Sequence, residues 1–286
     1  MSTSRLLHPK PAVTKRRHLR KRYNVTKPSS PQDVLKASTK SLHMIAGSFY
    51  IPKKNELKPL GEDAHFVCEE KRTIGLADGV GGWSKKGVDA GEYARELMRN
   101  CFFAVEDQPK GAIDPFHVLN KAYLDTEAQG SSTACIITLT GDVLHAENLG
   151  DSGFVVIRAG HIIYRSPVQQ SRFNCPFQLG NTTYHGPRSA MEIAVEVEDG
   201  DIVIAGTDGL FDNVHLDEIE VLVNMPREDG EMPDLLAWTI ARFASGKSLD
   251  KSCFTPFQRA AIEAGHPEFV GGKYDDITVI VAYIVA

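Results

Sequence analysis

The chain has 286 residues, of which 42% are hydrophobic and 24% charged, so most of it is expected to fold around a sizeable core. Its longest apolar run, residues 279–286, is far shorter than the ~20 residues that a membrane-spanning helix needs, and we expect no membrane span. Residues 1–32 contain nine Lys or Arg and no acid, which leaves 32 − 9 = 23 basic against 37 acidic residues, or −14, in the remainder. A domain of that charge is a poor nucleic-acid binder, and we expect no nucleic-acid partner.

The N-terminal segment, residues 1–41, is predicted to be a basic, flexible tail ahead of a folded domain of residues 42–286. It contains the run Lys-Arg-Arg-His-Leu-Arg-Lys-Arg (15–22) and no convincing apolar period. Because it is basic, acid-poor and contains Ser and Thr, it resembles a transit peptide for a mitochondrion or chloroplast. The basic run equally suits a nuclear address or an anionic contact, so a nuclear or cytoplasmic location is the alternative, and a plain solvated tail would have the same composition.

From about Leu42 the sequence alternates short strand-like segments with turns. Strands are predicted at residues 65–68, 73–77, 132–139, 143–149, 153–158, 161–164, 193–197, 201–206 and 278–285. Helices are predicted at residues 90–104, 115–128, 216–223 and 232–245. Gly141-Asp142 and Ala159-Gly160 are predicted to be the tight turns of two hairpins. Many strands with long helical insertions indicate an α+β fold, most simply antiparallel sheets flanked by helices.

Two of the predicted helices carry an apolar stripe with helical spacing. In the first predicted helix the stripe consists of Ala90, Tyr93, Ala94, Leu97, Met98 and Cys101. In the last it consists of Leu235, Leu236, Trp238, Thr239, Ile240 and Phe243. Each stripe is predicted to be the packed face of its helix.

Five cysteines are scattered along the chain with no Cys-x-x-Cys pair. Their odd number and their spacing argue against a disulfide scaffold or a zinc site and favour a reducing compartment. Cys68 and Cys135 lie in apolar runs and are predicted to be small core residues. We also expect no cysteine nucleophile of the kind that uses a phosphate-cradling Cys-x5-Arg loop.

Acidic residues recur in turns just before or after apolar strands, often beside glycine. They stand in Gly61-Glu62-Asp63, Ala77-Asp78-Gly79, Gly150-Asp151-Ser152, Thr207-Asp208-Gly209 and Tyr274-Asp275-Asp276. One Asp-Gly is an ordinary turn, but strand ends are rigid anchors, and glycine lets backbone carbonyls approach a bound ion closely. Mg²⁺ and Mn²⁺ prefer oxygen ligands and retain waters, so a few carboxylates from separate strands suffice to hold them. The pattern predicts a divalent-metal hydrolase without naming its substrate.

Six motifs follow one another along residues 42–286: Gly-Glu-Asp-Ala-His (61–65), Asp-Gly-Val-Gly-Gly-Trp (78–83), Gly-Ser-Ser-Thr-Ala (130–134), Gly-Asp-Ser-Gly (150–153), Thr-Asp-Gly-Leu-Phe-Asp (207–212) and Asp-Asp-Ile-Thr-Val (275–279). In this order they resemble the protein phosphatase 2C family of metal-dependent serine/threonine phosphatases. The second motif and the stretch 166–179 are similar to a compact, organelle-associated branch of that family. The resemblance implies a four-layer α-β-β-α sandwich of two antiparallel sheets, and hydrolysis of phosphoserine and phosphothreonine in proteins.

The resemblance also implies which residues hold two Mg²⁺ or Mn²⁺ ions. Asp78 would bridge both ions, and the Gly79 carbonyl would bind one of them. Asp208 and Asp275 would hold the second ion directly. Asp275 is chosen over Asp276 because the family usually has Asp-Asn at this point, with the first residue as the ligand.

Other acidic residues have weaker implied roles. Glu62 and Asp63 would act largely through metal-bound water, and together with Asp78 they form the implied catalytic set. Asp151 and Asp212, with Asp208, match a weaker third metal site. The implied chemistry is direct attack on phosphorus by a metal-activated water, without a phosphoenzyme.

The sequence departs from the family pattern at two positions. Val80 stands where many members have a histidine proposed as the general acid, so either metal-bound water or another histidine must protonate the leaving group. His65 is near in the motif, but a structural role is favoured for it. Lys58 stands where members have a phosphate-gripping arginine, and a lysine holds phosphate only as a point charge. A solvated loop residue is the alternative for Lys58.

The missing histidine leaves a non-enzymatic alternative, a metal-binding pseudophosphatase that acts as a scaffold. The complete set of acidic ligands argues against it, and the charge of −14 argues against a metal-dependent nuclease. The expected partners are phosphoprotein substrates, and the chain is expected to be a monomer. Trp83 is predicted to pack beneath the metal loop, with lining of the cleft as the alternative. Residues 166–179 are predicted to form either a substrate flap or an ordinary ordered loop.

Overall fold

The computed structural model describes residues 41–181, 183–226, 230 and 232–286. The predicted N-terminal tail therefore lies outside the described residues except for Ser41. The strands are β1 His43–Ile51, β2 Asp63–Cys68, β3 Thr73–Asp78, β4 Ser131–Ser132, β5 Ala134–Thr140, β6 Val143–Leu149, β7 Gly153–Arg158, β8 His161–Arg165, β9 Gln170–Arg172, β10 Cys175–Pro176, β11 Leu179–Gly180, β12 Met191–Glu196, β13 Ile202–Gly206 and β14 Ile277–Val285. The α-helices are α1 Ala90–Glu106, α2 Pro115–Asp125, α3 Asp208–Phe211, α4 Leu216–Val223, α5 Pro233–Leu249 and α6 Pro256–Glu263.

Two five-stranded sheets form the centre of the fold, and every strand pair within them is antiparallel. Sheet one has the strand order β1-β14-β13-β7-β8, and sheet two has the order β12-β6-β5-β3-β2. Two short ribbons, β9 with β10 and β4 with β11, lie beside them. The predicted hairpin turns are confirmed, since β5 pairs with β6 and β7 with β8. Ala159 and Gly160 both adopt the positive φ that a tight hairpin turn favours.

Helices cover the outer face of each sheet, which gives four layers. On sheet two, α1 and α2 bury Tyr93, Leu97 and Leu119 against the outward side chains of β2 and β5. On sheet one, α4 and α5 pack Ile219 and Ile240 against β7, β13 and β14. The structure therefore confirms the expected α-β-β-α sandwich.

The strands that lie between two layers are apolar on both faces because both faces are buried. In β7, Val156 faces the other sheet while its neighbour Val155 faces the helices. Ile74 and Leu76 of β3 fill the inter-sheet core opposite Ile280 of β14. Burial on both faces explains why these segments have near-continuous apolar runs rather than strict alternation.

The two predicted helix stripes have different outcomes. All six residues of the first stripe are buried in α1, whose N-terminus is capped by Asp89 through the Gly91 amide. The prediction that the second stripe is the packed face is wrong in part, because Leu235, Trp238 and Phe243 are exposed on α5. The buried face of α5 is instead rich in alanine, which lets the helix lie close to β1.

Strand β1 and helix α6 are among the elements that were not predicted from the sequence. Strand β1 pairs with β14 over nine positions at the edge of sheet one, but its mixed apolar and polar pattern does not alternate clearly. Helix α6 begins with Thr255-Pro256, a capping residue followed by proline in the first turn, and the Thr255 hydroxyl accepts from the Gln258 amide. Among the described residues, no helix has the length and apolar content needed to cross a membrane. The monomeric state stays a prediction.

Candidate metal centre

The acidic residues singled out from the sequence lie at the strand ends on one edge of the sandwich. Asp63 begins β2 and stands directly opposite Asp78, the last residue of β3. Asp208 begins α3 just after β13, Asp275 lies just before β14, and Asp151 lies in the link from β6 to β7. Sheet one, sheet two and the crossover between them therefore each contribute carboxylates.

Charge repulsion shows how close these groups are. The pKa of Asp78 is raised well above its ordinary value, first by burial and then by the charges of Asp208, Asp63, Asp275 and Asp151. A carboxylate surrounded in this way favours the bound proton unless a cation is present. The five residues therefore form one electrostatic cluster.

Asp63 ties the two sheets together with one of its oxygens. Asp63 Oδ2 accepts hydrogen bonds from the hydroxyls of Thr207 and Thr278, both at 2.8 Å, and both threonines belong to the sheet-one side. Burial, together with the charge of Asp276, raises the pKa of Asp63 well above its usual range despite these two donors. Oδ1, the second oxygen, has no partner among the described atoms. Asp63 thus links the two sheets through Oδ2 and leaves Oδ1 free to bind a cation.

The backbone around Asp78 and Gly79 is held rigidly. The Asp78 amide donates to Thr133 Oγ1 at 3.0 Å, and the Asp78 carbonyl accepts from the Thr133 amide at 2.9 Å. A Cβ on Gly79 would lie 2.6 Å from the Glu62 carbonyl oxygen and 2.8 Å from that of Ala90. Only glycine fits this close approach, which keeps the turn after Asp78 fixed.

Lys273 places its ammonium group among three of the acidic residues. Its Nζ contacts Asp208 Oδ2 and lies 2.8 Å from Asp212 Oδ2 and 3.2 Å from Asp275 Oδ2. Burial opposes the charge of Lys273, but the three carboxylates outweigh burial and hold its pKa well above the ordinary value. Among the described residues, no three His, Cys, Asp or Glu side chains form a ready-made metal cage, because these three carboxylates close around Lys273 instead. Sequence reasoning missed Lys273, whose only signal is its position two residues before Asp275.

Asp151 and Asp212 lie beside this cluster, on the side of the segment 166–179. Burial raises the pKa of Asp151 to about 7, helped by the charge of Asp208. Burial raises the pKa of Asp212 to about 6, although Lys273 pulls in the opposite direction. Asp151 Oδ2 accepts from Gln170 Nε2 of β9 at 2.8 Å, so the segment 166–179 reaches the centre directly.

The two neighbours Asp275 and Asp276 have different environments. Asp275 lies beside Lys273 and 3.5 Å from Lys53 Nζ, and burial followed by the charge of Asp208 raises its pKa. Asp276 Oδ1 is occupied by the Tyr50 hydroxyl and the Lys53 amide, both at 2.8 Å. Asp275 is therefore the neighbour that belongs to the carboxylate cluster, and Asp276 anchors the loop after β1.

Three carboxylate oxygens in the centre are buried without a hydrogen-bond partner among the described atoms: Asp63 Oδ1, Asp151 Oδ1 and Asp208 Oδ1. Each buried acceptor without a donor costs about 1–3 kcal/mol. Hard divalent cations bind such oxygens, and Mg²⁺ keeps several waters, so an incomplete protein ligand set is sufficient. The residues present therefore fit a divalent metal centre.

Lys58, the expected phosphate-binding residue, lies beside Glu62. Its Nζ is 2.7 Å from Glu62 Oε1 and 3.9 Å from Asp89 Oδ1, and its side chain is 15% exposed. The alternative, that Lys58 is a solvated loop residue, is therefore wrong. Its contact with phosphate stays a prediction.

Val80 has no proton to give, but His185 lines the same groove and stacks on Phe177 with 4.1 Å between the ring centres. His65 points to Ser48 on β1, with 3.0 Å between Nε2 and Oγ, and burial lowers its pKa. This contact supports the structural role favoured for His65. Trp83 donates from Nε1 to Ser131 Oγ at 2.6 Å and, with Val80, lines an open groove rather than lying wholly beneath the metal loop.

One cysteine has an arginine at the spacing of a phosphate-cradling loop, which the expectation of no cysteine nucleophile did not take into account. Cys253 and Arg259 are separated by five residues, so the Cys-x5-Arg spacing does occur. The amides between them are already used, however: Gln258 donates to the Thr255 hydroxyl, and the Phe257 amide donates to the Asp212 carbonyl. The Cys253 thiol donates to two backbone carbonyls. Thr255 caps helix α6, and the segment from Cys253 to Arg259 does not form a phosphate cradle.

All five cysteines are free, and Cys68, Cys101 and Cys135 are buried. Burial raises the pKa of the Cys101 and Cys135 thiols. The expectation of core cysteines without a disulfide scaffold is confirmed.

Known proteins similar to this chain carry the name that the motifs suggested. The chain is 49% identical over 259 residues to probable protein phosphatase 2C 55 of Arabidopsis thaliana. This match covers 90% of the chain but only 55% of that relative. It is 42% identical over 255 residues to putative protein phosphatase 2C 24 of Oryza sativa subsp. japonica, covering 87% of the chain and 79% of the relative. The chain thus spans little more than half the length of the Arabidopsis relative. No protein-family model matches the chain.

Solved structures show the same architecture. The X-ray structure of the photosystem II phosphatase PBCP is 31% identical, with a TM-score of 0.78, and the match covers 84% of this chain and 98% of that one. The catalytic domain of the serine/threonine phosphatase PstP, in complex with two manganese ions, matches with a TM-score of 0.60 over 86% of this chain and all of that one. At 18% identity, PstP shows the fold alone. Fold, motif order and sequence identity agree, and the chain belongs to the protein phosphatase 2C family.

Proposed function

We propose that this chain is a metal-dependent protein phosphatase that hydrolyses phosphoserine and phosphothreonine. The observation that carries the proposal is the trio of bare, buried carboxylate oxygens on Asp63, Asp151 and Asp208 at one edge of the sandwich. Membership of the protein phosphatase 2C family supports the reaction class. The proposed number of two ions is what the resemblance of the motifs to that family implies. Mg²⁺ and Mn²⁺ both suit an all-oxygen ligand set.

The proposed ligands follow from position in the cluster. Asp78, whose pKa is raised by burial and then by the charges of Asp208, Asp63, Asp275 and Asp151, would hold both ions together with the Gly79 carbonyl. Asp208 and Asp275 would hold the second ion, and Asp63 and Glu62 would act through coordinated water. When bound, the ions would supply an activated water and neutralise phosphate charge.

The residues of the chain would position the substrate. Lys58 would hold the phosphate as a point charge, and Lys53, with a side chain 43% exposed beside Asp275, offers a second cation at the rim. A groove of about 370 Å³ lined by Val80, Trp83 and Gln178 would take the peptide next to the phosphorylated residue. Because Val80 has no proton to give, metal-bound water or another histidine would protonate the leaving serine or threonine oxygen, and His185 lines the same groove.

The test is release of phosphate from a phosphoserine peptide by the purified chain after treatment with EDTA and readdition of Mn²⁺. Activity is expected only with metal and is expected to be lost in Asp78→Asn. Asp142→Asn, in the exposed hairpin between β5 and β6, is the matched control and should keep full activity. Metal-independent turnover, or full activity in Asp78→Asn, would show that the proposal is wrong.

Direct attack by water has its own test. In a single turnover of a ³²P-phosphoserine peptide stopped with SDS, no ³²P is expected on the chain, because only a phosphoenzyme would retain it. Ser131 is hydrogen-bonded to Trp83 and Gln178, and Ser132 is buried, so neither hydroxyl is placed as a phosphoryl acceptor. Label on the chain would contradict direct attack without removing the metal dependence.

A scaffold without turnover is the alternative that Val80 leaves open. It gains no support from the similar proteins, whose names describe phosphatases. The same phosphate-release assay separates the two, because a scaffold would bind Mn²⁺ and release no phosphate.

We also propose a plastid or mitochondrial location. The acid-free basic residues 1–32 support it, as does the similarity to a phosphatase named for photosystem II. Imaging of the full chain fused to a fluorescent protein at its C-terminus tests this location. A nuclear or cytoplasmic signal would contradict it.

A further inference from the structure

We propose that the ammonium group of Lys273 takes the place of a third divalent ion, so that this chain binds two metal ions and excludes a third. The proposal rests on the proposed function, because it concerns the same metal centre. It adds a residue that neither the motifs nor the similar proteins assign.

The position of Lys273 coincides with the ligands of the third site. That site would use Asp151, Asp208 and Asp212. Lys273 Nζ already contacts Asp208 Oδ2 and lies 2.8 Å from Asp212 Oδ2. A divalent ion on the same two oxygens would occupy the position of the ammonium group and would have to displace it.

The position of the ammonium is built into the surrounding fold. The Lys273 amide donates to Asn213 Oδ1 and its carbonyl accepts from Asn213 Nδ2, both at 2.9 Å. The preceding residue, Gly272, leaves no room for a side chain, since a Cβ there would lie 1.9 Å from the Lys247 carbonyl oxygen. The Nζ lies 5.4 Å from the centre of the Phe257 ring. The side chain is 15% exposed, so the backbone clamp and the packing direct it into the centre.

Lys273 occupies only one of the two carboxylate oxygens of Asp208. Lys273 engages one oxygen each of Asp208, Asp212 and Asp275, and leaves Asp208 Oδ1 buried without a partner among the described atoms. Asp208 can therefore still bind an ion on its other side. Six aspartates (Asp63, Asp78, Asp151, Asp208, Asp212, Asp275) carry −6 when ionised; two divalent ions and Lys273 supply +5, which leaves −1. The ammonium thus supplies half of the charge neutralisation that a third divalent ion would otherwise supply.

The experiment counts bound Mn²⁺ per chain by equilibrium dialysis of the purified full chain, with free Mn²⁺ read by electron paramagnetic resonance. Wild type is expected to saturate at two ions. Lys273→Met keeps the length of the stem and removes the charge, and it is expected to bind a third, weaker ion. Lys53→Met removes a cation 3.5 Å from Asp275 that does not contact Asp208 or Asp212, and it should stay at two.

Two further variants locate the gained ion and guard against misfolding. Adding Asp212→Asn to Lys273→Met is expected to return the count to two, which places the new ion at Asp212. Lys273→Gln is the second variant should Lys273→Met fail to fold, as judged by circular dichroism and thermal unfolding.

The outcomes separate the two levels of the proposal. Wild type that binds no Mn²⁺ overturns the proposed metal centre itself. Wild type that binds three ions, or a Lys273→Met count that stays at two, overturns the role of Lys273 and leaves the phosphatase proposal standing. A third ion that persists after Asp212→Asn would lie elsewhere and would also contradict the role of Lys273.

Discussion

The two halves of the carboxylate cluster are stabilised in different ways. On the sheet-two half, Asp63 and Asp78 face each other across adjacent strands, and in the described part of the chain no lysine or arginine pairs with either. On the sheet-one half, Asp208, Asp212 and Asp275 surround Lys273. The first half has neutral hydroxyl donors at Asp63 and, among the described residues, no cation of its own, whereas the second half contains one.

This difference separates the part of the centre that has no cation among the described residues from the part in which one ammonium group offsets some of the charge of three carboxylates. Carboxylates without a counter-ion raise one another's pKa and destabilise the fold until a cation binds. A fixed ammonium group reduces that penalty at one place only. We therefore expect metal to act most strongly on the sheet-two half and on Asp208, which is shared by both halves.

The largest expected effect comes from Asp208→Asn, because this change weakens both halves. Loss of a ligand that contributes several kcal/mol to the transition state should lower kcat/KM by about 10³-fold. The measurement is Mn²⁺-dependent hydrolysis of a phosphoserine peptide. A loss below about 10-fold would mean that Asp208 serves only Lys273.

A smaller effect is expected from Asp275→Asn, with Asp276→Asn as its matched control. Asp275 is coupled to Asp208 and Lys273, so its neutralisation should lower kcat/KM at limiting Mn²⁺ by about 10²-fold. An asparagine at position 276 keeps an oxygen for the Tyr50 hydroxyl and the Lys53 amide, so activity should stay within about 3-fold. The reverse order would make Asp276 the ligand.

The pH dependence of stability offers a third test. The pKa of Asp151 is about 7 and that of Asp212 about 6, both raised above 3.8, so between about pH 4 and 7 the folded chain binds more protons than the unfolded chain. The free energy of unfolding of the metal-free protein should therefore fall as pH rises through this window, by ~1.4 kcal/mol per pH unit for each extra proton.

Urea unfolding at several pH values, with and without Mn²⁺, measures this slope. Bound metal stabilises the ionised carboxylates, so Mn²⁺ should remove or reverse the fall. Stability that rises with pH in EDTA would show that these carboxylates are not destabilised by burial and by one another.

The smallest expected effect concerns the hydroxyls that hold Asp63. Thr278→Val removes one of the two donors to Asp63 Oδ2 and should lower the free energy of unfolding by about 1–2 kcal/mol. Thr239→Val, whose hydroxyl only donates to the Leu235 carbonyl within helix α5, should change it by less than about 0.5 kcal/mol. Equal losses in the two variants would mean that the link between the sheets adds nothing.

The sequence reveals the carboxylates better than it reveals what surrounds them. Asp78, Asp208 and Asp275 can be found because each lies at the end of an apolar strand. The partners of Asp63 cannot be found in this way, since Thr207 and Thr278 are 144 and 215 residues away and only the stacking of the sheets brings them close. Lys273 looks like an ordinary solvated loop lysine until the fold buries it.

The same limit explains the error in helix α5. The helical period marks both Leu236 and Trp238 as apolar, but the face that packs on sheet one is the one rich in alanine, with Leu236 buried and Trp238 exposed. Which of two plausible faces packs is decided by the shape of the partner layer, and a single sequence does not contain that shape. Strand β1 was missed for a related reason, since its pairing with β14, and not its own pattern, makes it a strand.

The most direct test of the account is an anomalous difference map from Mn²⁺-soaked crystals, recorded at the manganese edge. We predict two peaks, each within about 2–2.5 Å of an Asp78 carboxylate oxygen or the Gly79 carbonyl. The Lys273 ammonium should still lie between Asp208 and Asp212. A map with no peak at Asp78, or with a peak between Asp208 and Asp212 and Lys273 displaced, would contradict the account.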